Sequence, residues 1–228
     1  MCTVVTGWDA GAPVRILAIR DELVSRDFDE PGEWWPDHPG VIGGRDRLAG
    51  GTWCASDSST GVTALVLNRT ERHTGTPSRG VLPLAALARG SFWPEQVDHR
   101  GMASFTLVLA GPDGVLAWTW DARELRRHDL DVGTHVFTSR GIDTGDAKTE
   151  RYTPRFAAEP WLDVVTEQPP VDDRDGLVVR HEFETDTYAT VFGQLITASP
   201  GHLEIEYSRT PWRRGTWTTA VFQTITGD

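Results

Sequence analysis

Extended, apolar or β-branched runs in this chain come in pairs, each joined by a short connection rich in Gly, Pro, Asp or Ser. Ser104–Ala110 and Val115–Trp120 flank Gly111-Pro112-Asp113-Gly114, residues suited to a hairpin turn. Cys2–Trp8 and Val14–Ile19 stand on either side of Asp9-Ala10-Gly11-Ala12-Pro13, and Thr52–Asp57 and Val62–Leu67 on either side of Ser58-Ser59-Thr60-Gly61. Gly133–Ser139 reads as a further strand. Tyr188–Ala198, His202–Tyr207 and Gly215–Thr224 are three more, the first two divided by Ser199-Pro200-Gly201. Turns this short force antiparallel pairing, because a parallel partner needs a crossover of a dozen residues or more.

Helical signals are fewer. Leu82–Arg89 is rich in Leu and Ala, with Pro83 early and Gly90 just past the end. Ala122–His128 and Arg155–Glu167 are predicted as a second and a third helix. Gln168–Asp175 carries Pro169, Pro170 and three aspartates and reads as an exposed internal loop, since the strands after it need partners before it. The pattern predicts an α+β chain with more than one antiparallel sheet. At 228 residues the length suits one large domain or two small ones.

Composition narrows the function. No stretch of about 18 apolar residues occurs, which argues against a membrane-spanning helix. The N-terminus lacks the zones of a signal peptide, so a cytoplasmic location is the expectation. Cys2 and Cys54 are too few for a disulfide framework. No Cys-x-x-Cys or His-Glu-x-x-His spacing suggests a zinc site. A net charge of −11 argues against a nucleic-acid partner. The basic residues are arginines apart from Lys148, a bias attributed here to genome composition. Most of the ten tryptophans read as core, with a minority available to line an apolar ligand cleft.

Cys2 carries the sharpest chemistry. Once Met1 is removed, a thiol and a free α-amine share one residue at the start of the first strand. The amine titrates near 7.7–8 and a thiol near 8.5, each about its reference value, so the amine can act as base for the thiol without a second side chain.

The order of local patterns extends this. Ala18-Ile19-Arg20-Asp21-Glu22 ends the second strand, followed by Gly44-Arg45-Asp46, Gly50-Gly51-Thr52-Trp53, Leu67-Asn68 and Ser78-Arg79-Gly80. Ser104–Val108, Gly133-Thr134-His135 and Glu204–Tyr207 continue the series. Behind a Cys at position two, this order resembles the NRDE family, named for an Asn-Arg-Asp-Glu motif and known in eukaryotes as transport and Golgi organisation protein two. The resemblance implies an N-terminal nucleophile (Ntn) hydrolase-like fold. That fold is an αββα sandwich of two antiparallel sheets between helical layers, here one domain over residues 1–228. The family is associated with haem trafficking, with lipid and acyl-coenzyme A metabolism and, through its fold, with amide hydrolysis.

On that resemblance Cys2 is the expected nucleophile, with Arg20 and Asp21 orienting it; related bile-salt hydrolases use an Arg and an Asp at a similar distance from their N-terminal Cys. Arg20 either steadies the thiolate, binds a substrate carboxylate, or forms a structural ion pair with Asp21, Glu22 or Asp46. Asn68 is either an oxyanion donor or a turn residue. Arg79 is either an anion clamp at the cleft mouth or a solvated loop arginine. Trp53 and His135 are further candidate substrate contacts, His135 being alternatively a satisfied sheet residue. Gly50 and Gly51 mark a bulge or a tight approach and lack the spacing of a phosphate loop. The expected function is hydrolysis of a C–N amide bond in a small molecule, with no cofactor required. The alternative is a non-enzymatic binder of haem or an acyl lipid in the same cleft. The chain departs from the family pattern at Ile19, where the motif has Asn. It departs again at Arg140 after Ser139, where Asn is common, and at Phe192-Gly193-Gln194-Leu195, where a Tyr-Gly-Thr-Arg type of stretch is common.

Overall fold

The computed structural model describes residues 2–223. In chain order, β1 (Thr3–Trp8), β2 (Val14–Leu23), β3 (Phe28–Gly32), β4 (Val41–Asp46), β5 (Cys54–Asp57) and β6 (Val62–Asn68) precede helix α1 (Leu82–Arg89). Next come β7 (Phe105–Gly111), β8 (Gly114–Trp120), β9 (Leu125–Leu130), β10 (Gly133–Thr138) and β11 (Gly141–Ile142). Helices α2 (Ala147–Ala158) and α3 (Trp161–Thr166) follow, then β12 (Arg180–Glu182), β13 (Thr187–Ser199), β14 (His202–Ser208) and β15 (Thr218–Gln223).

The strands form two antiparallel sheets. The first has the order β11-β10-β1-β2-β13-β14-β15, with β12 on β13; the second runs from β3 to β9 in chain order. In the first sheet β1 lies between β10 and β2, with Thr3 opposite Ile19 and Val4 opposite Phe137.

Period-two alternation sorts β1 and β2 onto two faces. Val4, Val14, Ile16 and Ala18 face the second sheet, packing with Ile42, Leu65, Leu67, Val108 and Ala117. Val5, Leu17 and Ile19 face outward, beneath Tyr152 and Phe156 of α2 and Trp161, Val164 and Val165 of α3. The outer face of the second sheet packs Ala64, Leu107 and Trp118 against Leu82 and Ala86 of α1. Both faces of each central strand are therefore buried. The two antiparallel sheets match expectation, while the helices over them are few and short, so the sandwich layering is met only in part.

Leu82–Arg89 is the helix expected. Ala122–His128 is not a helix: Ala122 sits at φ 74° and the Asp121 carboxylate accepts from the backbone N–H of Arg123 and Glu124 at 2.9 and 2.8 Å. That turn feeds β9, which pairs with β8 at the sheet edge. The expected helix over Arg155–Glu167 is two helices, separated at Pro160, and the first starts earlier because Asp146 caps it by accepting from Thr149 N–H at 2.9 Å. In the last strand pair, Arg214–Thr216 forms a 3-10 turn before β15, and Thr224 lies outside the described residues. Among the described residues no helix is long and apolar enough to cross a membrane.

Candidate functional site

The β1–β2 hairpin brings Cys2 to Arg20 and Asp21. Thr3 pairs with Ile19, so one step outward Cys2 stands opposite Arg20. The half-buried Cys2 Sγ lies 4.0 Å from the Asp21 carbonyl oxygen. Alternation then divides the residues. Arg20 continues the Ile16–Ala18 face and enters the space between the sheets, while Asp21 continues the Leu17–Ile19 face and turns toward α2.

Between the sheets, Cys2, Arg20, Trp53, Asn68 and Arg79 line an open cleft, with Glu22, Arg26 and Asp46 on its walls. The Arg20 guanidinium is 4.6 Å from the Trp53 ring and 5.0 Å from that of Phe28, and Trp53, Phe28 and Phe192 meet edge to face. Arg20 Nη2 reaches Asp46 Oδ2 at 3.3 Å, and Arg26 Nε reaches the same oxygen at 2.7 Å. The other Asp46 oxygen accepts from Leu48 and Ala49 N–H at 3.1 and 2.9 Å, which closes the turn leading to Gly50.

That turn positions the far wall. Gly51 lies so near Gly80 that a Cβ there would be 2.5 Å from the Gly80 carbonyl carbon, and Thr52 N–H donates to the Gly80 carbonyl at 2.9 Å. The contact holds Ser78-Arg79-Gly80 over the cleft. Gly44 is equally constrained, since a Cβ would come within 2.5 Å of the Trp53 ring. Arg79 is half-buried and donates from Nη1 to the Ser104 carbonyl at 2.9 Å. Asn68 ends β6 with its side chain exposed at the cleft wall.

On the outer side of β2, Asp21 is buried, its Oδ1 accepting from Thr190 Oγ1 at 2.6 Å and its carbonyl from Tyr188 O–H at 3.0 Å. Burial pushes the Asp21 carboxyl up, while Lys148 and the Thr190 hydroxyl draw it down. Lys148, on α2, is 4% exposed and donates to Thr3 Oγ1 at 3.2 Å. Burial lowers its pKa and Asp21 opposes the fall. Lys148 and Asp21 also line a larger open groove with Asn68, Arg140 and His181. Burial pushes the Cys2 thiol above its ordinary range; Asp21 adds to the rise and Arg20 counters it.

Residues 1–169 match the family described as Transport and Golgi organisation 2. The chain belongs to that family. It is the NRDE family of the sequence resemblance, and the matched span includes Cys2, Arg20, Asp21, Trp53, Asn68, Arg79, His135 and Lys148. No curated protein matches the chain. Among solved structures it is similar to the Caenorhabditis elegans ortholog of N-acylethanolamine-hydrolyzing acid amidase, at 11% identity over 96% of this chain and 100% of that one. The TM-score of 0.48 is too low for that likeness to bear on activity.

Of the Transport and Golgi organisation 2 residues singled out from sequence, all but His135 line the cleft at Cys2. His135 pairs with Thr6 on β10, about 13 Å along the strand from Cys2. Its ring nitrogens bind Asp143 Oδ2 at 2.7 Å and the Asp131 carbonyl at 2.8 Å, which makes it a satisfied sheet residue. Lys148, Thr190 and Tyr188 escaped the sequence reading. The one available signal was that Lys148 is the sole lysine in a chain rich in arginine. The departures from the family pattern fall near the site: Phe192 packs on Trp53, and Arg140 pairs with Asp175 at 2.8 Å. Among the described residues no cluster of His, Cys, Asp or Glu is arranged to hold a metal ion.

Proposed function

We propose that this Transport and Golgi organisation 2 protein is an N-terminal-cysteine hydrolase acting on a C–N amide bond of a small molecule. The reading takes residues 1–228 as one domain of the αββα Ntn-hydrolase type, cytoplasmic and needing no cofactor. Removal of Met1, which lies outside the described residues, frees the Cys2 α-amine. That amine takes the thiol proton and the thiolate forms a bond to the amide carbon. The carbonyl electrons move to oxygen, where the Asn68 amide N–H is the proposed donor. Collapse breaks the C–N bond, the ammonium returns its proton to the leaving amine, and water then hydrolyses the thioester by the same proton path. Asp21 holds the ammonium and Arg20 steadies the sulfur.

The observation that carries this reading is the convergence of Cys2, Arg20 and Asp21 from one hairpin onto the end of an open cleft. Site-resolved alkylation with limiting iodoacetamide tests it. The expected result is a mature chain beginning at Cys2, with Cys2 labelled far faster than Cys54, which is 1% exposed and whose thiol burial pushes up. Cys2→Ala is expected to abolish turnover of a panel of N-acyl amides while leaving the melting transition in place. Retained Met1, or turnover at the wild-type rate in Cys2→Ala, overturns the reading.

A further inference from the structure

Three arginines line the Cys2 cleft, and their carboxylate partners are unevenly shared. Arg26 Nε binds Asp46 Oδ2 at 2.7 Å and lies 3.8 Å from Glu22 Oε2. Arg20 presents Nη2 to the same two carboxylates, at 3.3 and 3.7 Å. The two acids are thus occupied by Arg26 and by one nitrogen of Arg20. Arg20 is 3% exposed, and its buried Nη1 has no hydrogen-bond partner. Arg79 has the Ser104 carbonyl as its hydrogen-bond acceptor and no ion pair among the described residues. The remaining acid on the cleft, Asp21, is directed toward Thr190 and Lys148 on the other face of β2.

A guanidinium nitrogen left unpaired in a desolvated site is costly, and a carboxylate supplies two acceptors that match its geometry. The apolar side chains of Ala49, Trp53 and Val66 are too few here to favour a long hydrocarbon beside Cys2. We infer that Arg20 Nη1 and Arg79 form an anion subsite beside the Cys2 sulfur, and that the substrate is an amide bearing a carboxylate within a few atoms of the scissile carbonyl. This rests on the reading of Cys2 as nucleophile. The carboxylate would accept from Arg79 and, once the buried Arg20 guanidinium turns to present Nη1 to the cleft, from Arg20 as well, holding the carbonyl carbon over Sγ. An amine at the same place would meet two cations and be rejected.

Two alkylating reagents of similar size test the charge preference: iodoacetate carries the carboxylate and iodoacetamide is its neutral counterpart. Rates at Cys2 are read by mass spectrometry on the full-length protein, with a short cysteine peptide as reference. The expected iodoacetate-to-iodoacetamide ratio exceeds that of the peptide by roughly tenfold or more, falls back by about tenfold in Arg79→Gln, and is partly kept in Arg79→Lys. Taking the ratio cancels any change in thiolate fraction. A ratio equal to that of the peptide, or unchanged in Arg79→Gln, overturns the subsite and leaves the nucleophile reading intact. A Cys2 inert to both reagents overturns the nucleophile reading. The subsite is then judged by thermal stabilisation with glutarate against uncharged glutaramide. Stabilisation by glutarate alone, lost in Arg79→Gln, supports an anion site, and its absence overturns one.

Discussion

Gly51→Ala tests the architecture of the cleft without replacing any residue that lines it. The added methyl would lie 2.5 Å from the Gly80 carbonyl carbon and 2.9 Å from its Cα, both backbone atoms that cannot rotate away. Overpacking of this kind costs about 1–3 kcal/mol. Relief requires Gly80 to move, which breaks the 2.9 Å bond from Thr52 N–H to its carbonyl. That loss adds about 0.5–1.5 kcal/mol, for a total of roughly 2–4 kcal/mol. With 228 residues the unfolding entropy is roughly 0.5 kcal/mol/K near the midpoint, so Tm should fall by about 4–8 °C. Calorimetry at fixed pH reads the shift. Arg79 precedes Gly80, so the same variant should lose its preference for iodoacetate over iodoacetamide at Cys2. Gly50→Ala is the control: its Cβ meets nothing within 4 Å, and at φ +71° it incurs only left-handed strain of about 1–2 kcal/mol. A Gly51→Ala protein that melts within about 1 °C of wild type would refute the clamp.

Other substitutions probe the charges. Lys148→Gln removes a cation that draws the Asp21 carboxyl down against its burial. Asp21 then keeps its proton to higher pH in the folded state, so stability falls more steeply as pH rises. The expected loss in urea denaturation is about 1–3 kcal/mol near pH 7 and smaller near pH 4, and an equal loss at both refutes the coupling. His135 titrates above its ordinary value because Asp143 binds its ring. Its contribution to stability is full below about pH 6.5 and is lost as pH rises through the folded pKa, a dependence that Asp143→Asn should flatten in melts followed against pH. Haemin titration separates the hydrolase reading from the haem-binding alternative, with no saturable Soret shift expected. A stoichiometric shift abolished by Trp53→Ala would favour the binder.

The legible parts of the fold were those held by local chemistry. Gly111-Pro112-Asp113-Gly114 placed β7 and β8 to within a residue, because a hairpin turn dictates both flanks. β3 and β4 escaped notice because ion pairs help hold them together: Asp29 accepts from Arg45 Nε at 2.8 Å and from Arg47 Nε at 2.7 Å. A strand such as Phe28–Gly32, with Asp29, Glu30 and Pro31 in sequence, carries no alternating apolar signal. In the candidate site, Cys2, Arg20 and Asp21 were legible because one hairpin joins them. Lys148 and Thr190 reach it from α2 and β13, and packing at that separation leaves no trace in local sequence.

The adjacency of Arg20 and Asp21 has a further consequence, because neighbours on a strand face opposite ways. Arg20 lies against Trp53, Phe28 and Asp46 between the sheets, whereas Asp21 lies against Thr190 with Lys148 nearby on the helix side. The order Arg-Asp therefore matters as much as the composition. The double exchange Arg20→Asp with Asp21→Arg keeps the net charge. It sets a carboxylate beside Asp46 and Glu22, and a guanidinium near Lys148. Each exchange replaces a compensated buried charge with a like-charge contact, at about 3–5 kcal/mol apiece. That is of the order of the whole stability of an ordinary protein, about 5–15 kcal/mol, so the exchanged protein is expected to lack a cooperative melt. Arg20→Lys serves as the comparison, since it keeps the sign of charge on the inner face, and it should still unfold cooperatively. An exchanged protein as stable as wild type would show that the two faces are electrostatically equivalent, and the division of labour argued for the hairpin would fall.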